Sequence, residues 1–285
     1  MKSRNFESQI LEIFNLNPTM SYADISKKVG CSKCTVQYYF RKNHIVRDRI
    51  NQQKLNNTDR NKPIIITEKA KEILVGTILG DATISKYRRN CEPVKILNSR
   101  ISATHCEQQK DYVQYLYNLL ISEGLKCNYT ENNTVHYSKY EGRTIISKGY
   151  CQISTIRNIV FNTWRNNWYP QGIKTIPKDI IEKYLTPLAI AIWFMDDGAK
   201  NNCSYYLHTE GFTAEDVDFL RSILETKYNL KTARHTQRRK PVIYISGYSR
   251  ENFTTLILPY ICDSMKYKLF TTKLGLNKSD ELLER

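Results

Sequence analysis

The sequence predicts an α+β protein built from two repeated units, preceded by a small helical domain. Three observations carry this expectation. An order of helix, strands, helix, strands, helix runs twice between Thr67 and Tyr260. Each copy opens on a nearly uncharged apolar helix that finishes on a carboxylate, and the two endpoints, Asp81 and Asp197, stand 116 positions apart. Ahead of both copies a separate apolar pattern over residues 5–43 is set off by a polar, basic stretch. The expected division is residues 1–45 as a helical domain, 46–66 as linker, 67–178 as the first unit and 179–285 as the second.

In the N-terminal domain, Phe6, Ile10, Leu11, Ile13 and Phe14 recur at helical spacing until Pro18 stops the helix. Ser21 then caps Tyr22–Val29, with Asp24 in the capping-box place and Ala23, Ile25 and Val29 expected inward. Gly30 permits the tight turn. Ser32 caps a second helix, Lys33–Lys42, that packs through Val36, Tyr39 and Phe40. Small, apolar and turn residues at Ala23, Ile25, Val29, Gly30, Ser32, Thr35 and Val36 fit a helix-turn-helix. Its second helix would present Ser32, Lys33, Thr35, Gln37 and Arg41 to a groove.

In the first unit, a helix from Lys69 to Gly80 is followed by extended runs at 82–88 and 94–104 and a helix over 107–122. Two more extended runs (125–137, 143–155) and a helix (157–168) complete it. In the second, Thr186 and Pro187 open the motif helix in the order that helix geometry prefers. A strand (203–209), a helix (213–228), strands at 231–237 and 241–247 and a helix (249–260) follow. Ile64–Ile66 reads as a short strand or a first contact with the repeated body.

Lys and Arg number 43 against 28 Asp and Glu, a net charge of +15. A folded chain this basic points to a polyanionic partner, most simply nucleic acid. An acidic membrane surface would require a basic amphipathic helix or a lipidation signal, and neither is present; no run of eighteen apolar residues predicts a membrane span. The eight cysteines are scattered, and Cys31 and Cys34 lack a full set of zinc ligands, with His44 the nearest candidate. Met1-Lys2-Ser3-Arg4-Asn5 leads into no apolar run, so a secretory signal is not expected. The expected setting is a reducing intracellular compartment, a bacterial or phage-host cytoplasm or an organelle matrix.

The chemistry is expected at the two helix ends, Leu74 to Ala82 and Ile190 to Gly198. Gly76 and Gly80, four apart on one face, let two helix backbones approach closely. Packed side by side, the helices would bring Asp81 and Asp197 together. Two neighbouring carboxylates are costly unless a cation lies between them. Hard oxygen ligands suit Mg²⁺ or Mn²⁺. Carboxylates at helix C-termini also oppose the dipole, so a purely structural reading has two of them to explain. The runs Lys86, Arg88, Arg89 and Arg234, Arg238, Arg239, Lys240 lie in or beside extended stretches that fit a groove as a two-stranded ribbon, and Lys200 follows the second motif. Nucleophile-elbow and Walker-type motifs are absent.

The two helix ends, with Gly80-Asp81-Ala82 and Met195-Asp196-Asp197-Gly198, resemble the paired motifs of the LAGLIDADG homing endonucleases. The resemblance extends over residues 70–270 through Lys174-Thr175-Ile176-Pro177, Tyr184-Leu185-Thr186-Pro187, Lys240 to Ile245 and Tyr267-Lys268-Leu269. It implies two pseudo-symmetric αββαββα units with saddle-shaped antiparallel sheets. Asp81 and Asp197 would bind the divalent ions, assisted by the carbonyls of Gly80 and Asp196. Lys174 and Lys268 would support the site, and Gln237 would order water in the second unit. Thr104 or His105 is the nearest counterpart in the first. The second motif departs from the first in carrying Ile192 and Asp196 where the first has Gly76 and Gly80, so the half-sites are expected to differ in metal affinity. The implied activity is metal-dependent hydrolysis of both strands of duplex DNA across the minor groove, leaving 3′ overhangs, by a monomer. Two alternatives remain: an intron RNA maturase on the same fold, and a DNA-binding regulator with an inactive nuclease body.

Overall fold

The computed structural model describes residues 6–16, 20–43, 45, 62–85, 98–132, 136–140, 143–147 and 149–270. The chain forms two compact units, Met1–Lys62 and Pro63–Arg285.

The first unit is a trio of helices, α1 (Phe6–Leu16), α2 (Tyr22–Val29) and α3 (Lys33–Lys42). Local chemistry sets the bounds of α2 and α3. The Ser21 hydroxyl accepts the Asp24 N–H at 3.1 Å, and Ser32 accepts the Thr35 N–H at 3.0 Å. Gly30 takes the left-handed conformation (φ 71°) that ends α2. Ile10, Ile25, Val36 and Phe40 form the core, with the rings of Phe14 and Tyr22 set edge-on to Phe40 at 4.7 and 5.1 Å. Ala23, expected inward, is exposed; Tyr22 covers the core in its place.

The second unit opens with α4 (Glu68–Leu79), capped by the Thr67 hydroxyl. Then follow β1 (Thr83–Ser85), β2 (Arg100–Cys106), α5 (Lys110–Ser122), β3 (Cys127–Asn132), β4 (His136–Tyr140), β5 (Arg143–Ser147), β6 (Tyr150–Thr155) and α6 (Val160–Trp168). A short α7 (Lys178–Tyr184) leads to α8 (Pro187–Asp197), β7 (Gly198–Asn201), β8 (Ser204–Leu207), α9 (Ala214–Tyr228), β9 (Thr232–Gln237), β10 (Lys240–Ile245) and α10 (Arg250–Ile257). The sheets run β1-β2-β6-β3 and β7-β8-β10-β9, antiparallel throughout, while β4 and β5 pair as a separate ribbon.

The duplication is visible position by position. Val113, Leu116 and Leu120 of α5 and Val217, Leu220 and Leu224 of α9 are buried, each pair 104 positions apart. The motif endpoints are 116 apart, and the difference of 12 matches the longer β1–β2 connection, 14 residues (86–99) against two (202–203) between β7 and β8. Ile153 and Ile243, which pair with Ala103 and Leu207, are 90 apart; here the β4–β5 ribbon accounts for the change. Within the 63–285 unit, the first repeat therefore has more chain between strands than the second and keeps the rest in register.

Several expected elements differ. The runs at 125–137 and 143–155 resolve into four strands, because the ribbon interrupts them. Strand β7 precedes the one expected over 203–209: it starts directly at Gly198, where the helix ends, and turns at Asn202 (φ 48°). Residues 63–67 form no strand; Ile66 is buried while Ile65 is 94% exposed. Helix α7 was not expected. Among the described residues no helix is long and apolar enough to cross a membrane.

What positions the site is the contact of α4 with α8. Every residue from Ile73 to Leu79 and from Leu188 to Met195 is buried. A Cβ on Gly76 would strike the Ala189 carbonyl and Ile192, and one on Gly80 would strike the Asp196 side chain. At Gly76 the two helices meet backbone to backbone, and at Gly80 the missing side chain leaves the space that Asp196 fills.

Candidate metal centre at the paired helix ends

α4 and α8 end side by side, and each unit supplies a lysine to its own helix end. Lys174 donates from Nζ to the carbonyls of Gly80 (3.3 Å) and Ala82 (3.5 Å). Lys268 donates to those of Met195 (2.6 Å) and Asp196 (3.0 Å). Orphan carbonyls and the negative end of each helix dipole thus receive a cation. The Gly80 and Asp196 carbonyls, expected as metal ligands, are engaged by these lysines, which leaves each one further lone pair.

Asp81 is exposed, with 42% of its side chain accessible, and Asp197 is partly buried. Burial, with the Asp81 charge added, pushes the Asp197 carboxyl from its ordinary 3.8 up to about 6. Burial lowers the affinity of Lys174 and Lys268 for their protons, and the surrounding aspartates act in the opposite direction. The site is thus a crowd of carboxylates under two buried ammonium groups.

Asp196 behaves differently from its neighbour. Its side chain is fully buried (0% accessible) and crosses from α8 toward Asp81 and α5. Oδ2 accepts the Asp81 N–H at 3.3 Å, and Oδ1 accepts the Tyr112 hydroxyl at 2.6 Å. His105, only 1% accessible, sets Nδ1 3.5 Å from Asp81 and Nε2 3.8 Å from Asp196. Burial holds Asp196 well above the carboxylate range, and holds His105 below its ordinary value. Nε2 of His105 has no hydrogen-bond partner. Among the described residues, Asp81, His105 and Asp196 form the group of side chains able to share one ion, their ligand atoms all within 4.8 Å of one another.

The remaining expected residues are dispersed. Gln237 ends β9 opposite Lys240, and no described contact joins it to the carboxylates. Arg238 and Arg239 form the β9–β10 turn, both at positive φ (48° and 64°), exposed beside exposed Lys240. Arg234 lies on the other face of β9, where its guanidinium engages Asp218 and the Ala214 carbonyl of α9. Strand alternation explains this, since 234 and 235 must point to opposite faces. Lys200 donates to the Leu269 carbonyl at 3.4 Å. Ser32 and Thr35 hydroxyls bond each other at 2.8 Å, with Lys33 and Arg41 exposed and Gln37 half-buried on α3. Lys86, Arg88 and Arg89 fall outside the described residues. The face of the second sheet turned away from its core carries Tyr206, His235 and Tyr244, with His235 stacked on Tyr244 at 4.4 Å. Sequence reasoning missed Tyr112; its signal was a tyrosine at the position that α9 fills with Asp216.

Comparison with known proteins agrees with this architecture. The profile of the LAGLIDADG DNA endonuclease family matches residues 71–253. The chain is 34% identical over 212 residues to the cytochrome b mRNA maturase bI2 of Debaryomyces hansenii, covering 73% of this chain and 76% of that protein. It is 30% identical over 208 residues to a probable intron-encoded endonuclease 1 of Wickerhamomyces canadensis, covering 70% and 83%. The structure of the homing endonuclease I-WcaI bound to its DNA recognition sequence aligns with a TM-score of 0.61 at 28% identity, over 77% of this chain and 93% of that one. With paired motif helices, two matching sheets and a profile match across most of both units, the chain belongs to the LAGLIDADG DNA endonuclease family.

Proposed function

We propose that the protein is a site-specific endonuclease that hydrolyses both strands of duplex DNA with Mg²⁺ or Mn²⁺, acts as a monomer, and promotes homing of the intron or mobile gene that encodes it. The observation that carries the reading is the pair of carboxylates, Asp81 and Asp197, at two helix ends locked together through Gly76 and Gly80. Exposed Asp81, and an Asp197 carboxyl raised to about 6 by burial and by Asp81, suit a divalent cation that would relieve their repulsion. Asp81 and Asp197 would hold the ions, one centre per strand. Bound there, the metal supplies Lewis acidity toward the phosphodiester and a more acidic water. Lys174 and Lys268 fix the carbonyl ends of α4 and α8 and would place positive charge beside the scissile phosphates. The outward sheet faces would lie in the groove, with Arg238, Arg239 and Lys240 on the backbone. Two arginines at positive φ are a strained choice for a turn, of order 1–2 kcal/mol each, which supports a role beyond folding. Helix α3 of the N-terminal unit would add contacts through Lys33, Gln37 and Arg41.

Cleavage selection on a randomised duplex library tests the reading. A site should emerge with Mg²⁺ or Mn²⁺. Asp81→Asn and Asp197→Asn should each stop double-strand cutting while binding persists, and full cutting by the double variant would sink the assignment. The maturase named at 34% identity favours a second reading, intron RNA binding on the same fold. Tight binding of a structured intron RNA with no cleavable DNA site would select it.

A further inference from the structure

The axis between the two motif helices has room for one side chain, and Asp196 fills it. A Cβ on Gly80, its counterpart across the axis, would overlap the Asp196 carboxylate. That carboxylate turns to one side only. It accepts the Asp81 N–H and the Tyr112 hydroxyl, and it faces the unpartnered Nε2 of buried His105, whose Nδ1 is hydrogen-bonded to Gln109 Oε1 at 3.1 Å and lies 3.5 Å from the Asp81 carboxylate. The second repeat is built differently: the His208 N–H donates to the Asp197 carbonyl at 2.9 Å, and the His208 ring pairs through Nδ1 with Glu210 at 2.9 Å. At 104 positions' distance, His105 corresponds to Thr209, which donates instead to the Pro241 carbonyl. Tyr112 corresponds to Asp216, whose N–H is taken by the Thr213 cap.

We infer that Asp196, Tyr112 and His105 are positioning residues for Asp81, so that the half-site built on Asp81 has a buried side-chain brace that the one built on Asp197 lacks. This rests on the endonuclease reading of the same site. Asp81 is more exposed than Asp197 and follows a helix that ends at Leu79 and is capped by Gly80. Its main chain is held by Asp196 and its carboxylate approached by His105, which limits the orientations it can take. Partners behind a metal-binding carboxylate typically change activity about 10–100-fold. Here that change should fall on one strand.

The test uses the full chain and a supercoiled plasmid carrying a site recovered by cleavage selection, each strand labelled, in Mg²⁺. Asp81→Asn identifies the strand served by that half-site. Tyr112→Phe and His105→Gln should slow the same strand about tenfold or more and leave the other near the wild-type rate, so that nicked circles accumulate. Equal slowing of both strands, or of neither, overturns the inference. A wild-type chain that yields no site fails the endonuclease reading instead. The brace has its own readout without DNA: a double-variant cycle of Tyr112→Phe and Asp196→Asn in denaturant unfolding. The double variant should lose less than the two single losses together. Additive losses would show that the groups do not act as a unit.

Discussion

Asp197→Asn should make the metal-free protein more stable while removing its activity. In the folded chain the Asp197 carboxyl releases its proton near pH 6 instead of its ordinary 3.8, because burial and the Asp81 charge oppose ionisation. The folded state therefore binds this proton more tightly than the unfolded state. Below about pH 4 both states hold it and the group costs nothing. Between about pH 4 and 6 the unfolded chain ionises first, and folding loses stability as pH rises. Above pH 6 the loss levels off. At about 1.4 kcal/mol per tenfold change, the plateau is about 3 kcal/mol. Asparagine has nearly the same shape and no charge to desolvate, so the variant escapes that loss. The assay is urea unfolding of wild type and variant in chelator from pH 4 to 8. The curves should coincide near pH 4 and separate through pH 6, with the variant ahead by up to about 3 kcal/mol. Adding Mg²⁺ should narrow the gap, since only wild type gains from binding at a complete site. A variant less stable at pH 8 in chelator, or a gap independent of pH, would refute the account of a desolvated, cation-seeking carboxylate.

Three further outcomes follow from the packing. Gly76→Val should destabilise the 63–285 unit by at least about 2 kcal/mol, because its side chain meets the Ala189 carbonyl and Ile192; calorimetry measures this, and a neutral result would mean the helices are further apart than described. Phe40→Ala should remove the centre of the N-terminal core at a cost of about 3–5 kcal/mol, enough to unfold a unit of that size, while a separate transition for residues 63–285 stays in place. Deletion of residues 1–62 should leave a folded, cutting core with a footprint shortened at one end and a shallower dependence of affinity on salt; an unchanged footprint and slope would show that the helical unit does not touch DNA.

The readable parts of the fold were those set by local chemistry. Ser21, Gly30 and Ser32 determine the bounds of α2 and α3 within a few residues of chain, so the pattern alone placed them. The apolar character of α4 and α8 shows in composition because residues 73–79 and 188–195 are buried on all sides. Asp81 and Asp197 stand out because each opposes the helix dipole with no structural benefit. What escaped depends on distance. Tyr112 and Asp196 are 84 positions apart, and a tyrosine on a buried helix face looks like any core residue until its hydroxyl meets a carboxylate. Strand β7 is four residues long and begins where the helix stops, so neither period had room to appear. Arg234 shows the limit of weighing a charge run as a whole: strand alternation turns this member toward Asp218 of α9.

The contact between the motif helices also decides which halves can be joined. One helix presents hollows at Gly76 and Gly80, and the other presents bulges at Ile192 and Asp196. Two copies of the hollow helix would leave voids between them, and two copies of the bulged helix would collide. Each half is thus keyed to its opposite rather than to itself. Chimeras that exchange one half with a relative should succeed only when hollow meets bulge, and after the ancestral duplication each such substitution would have favoured the fused pair over self-association of either half.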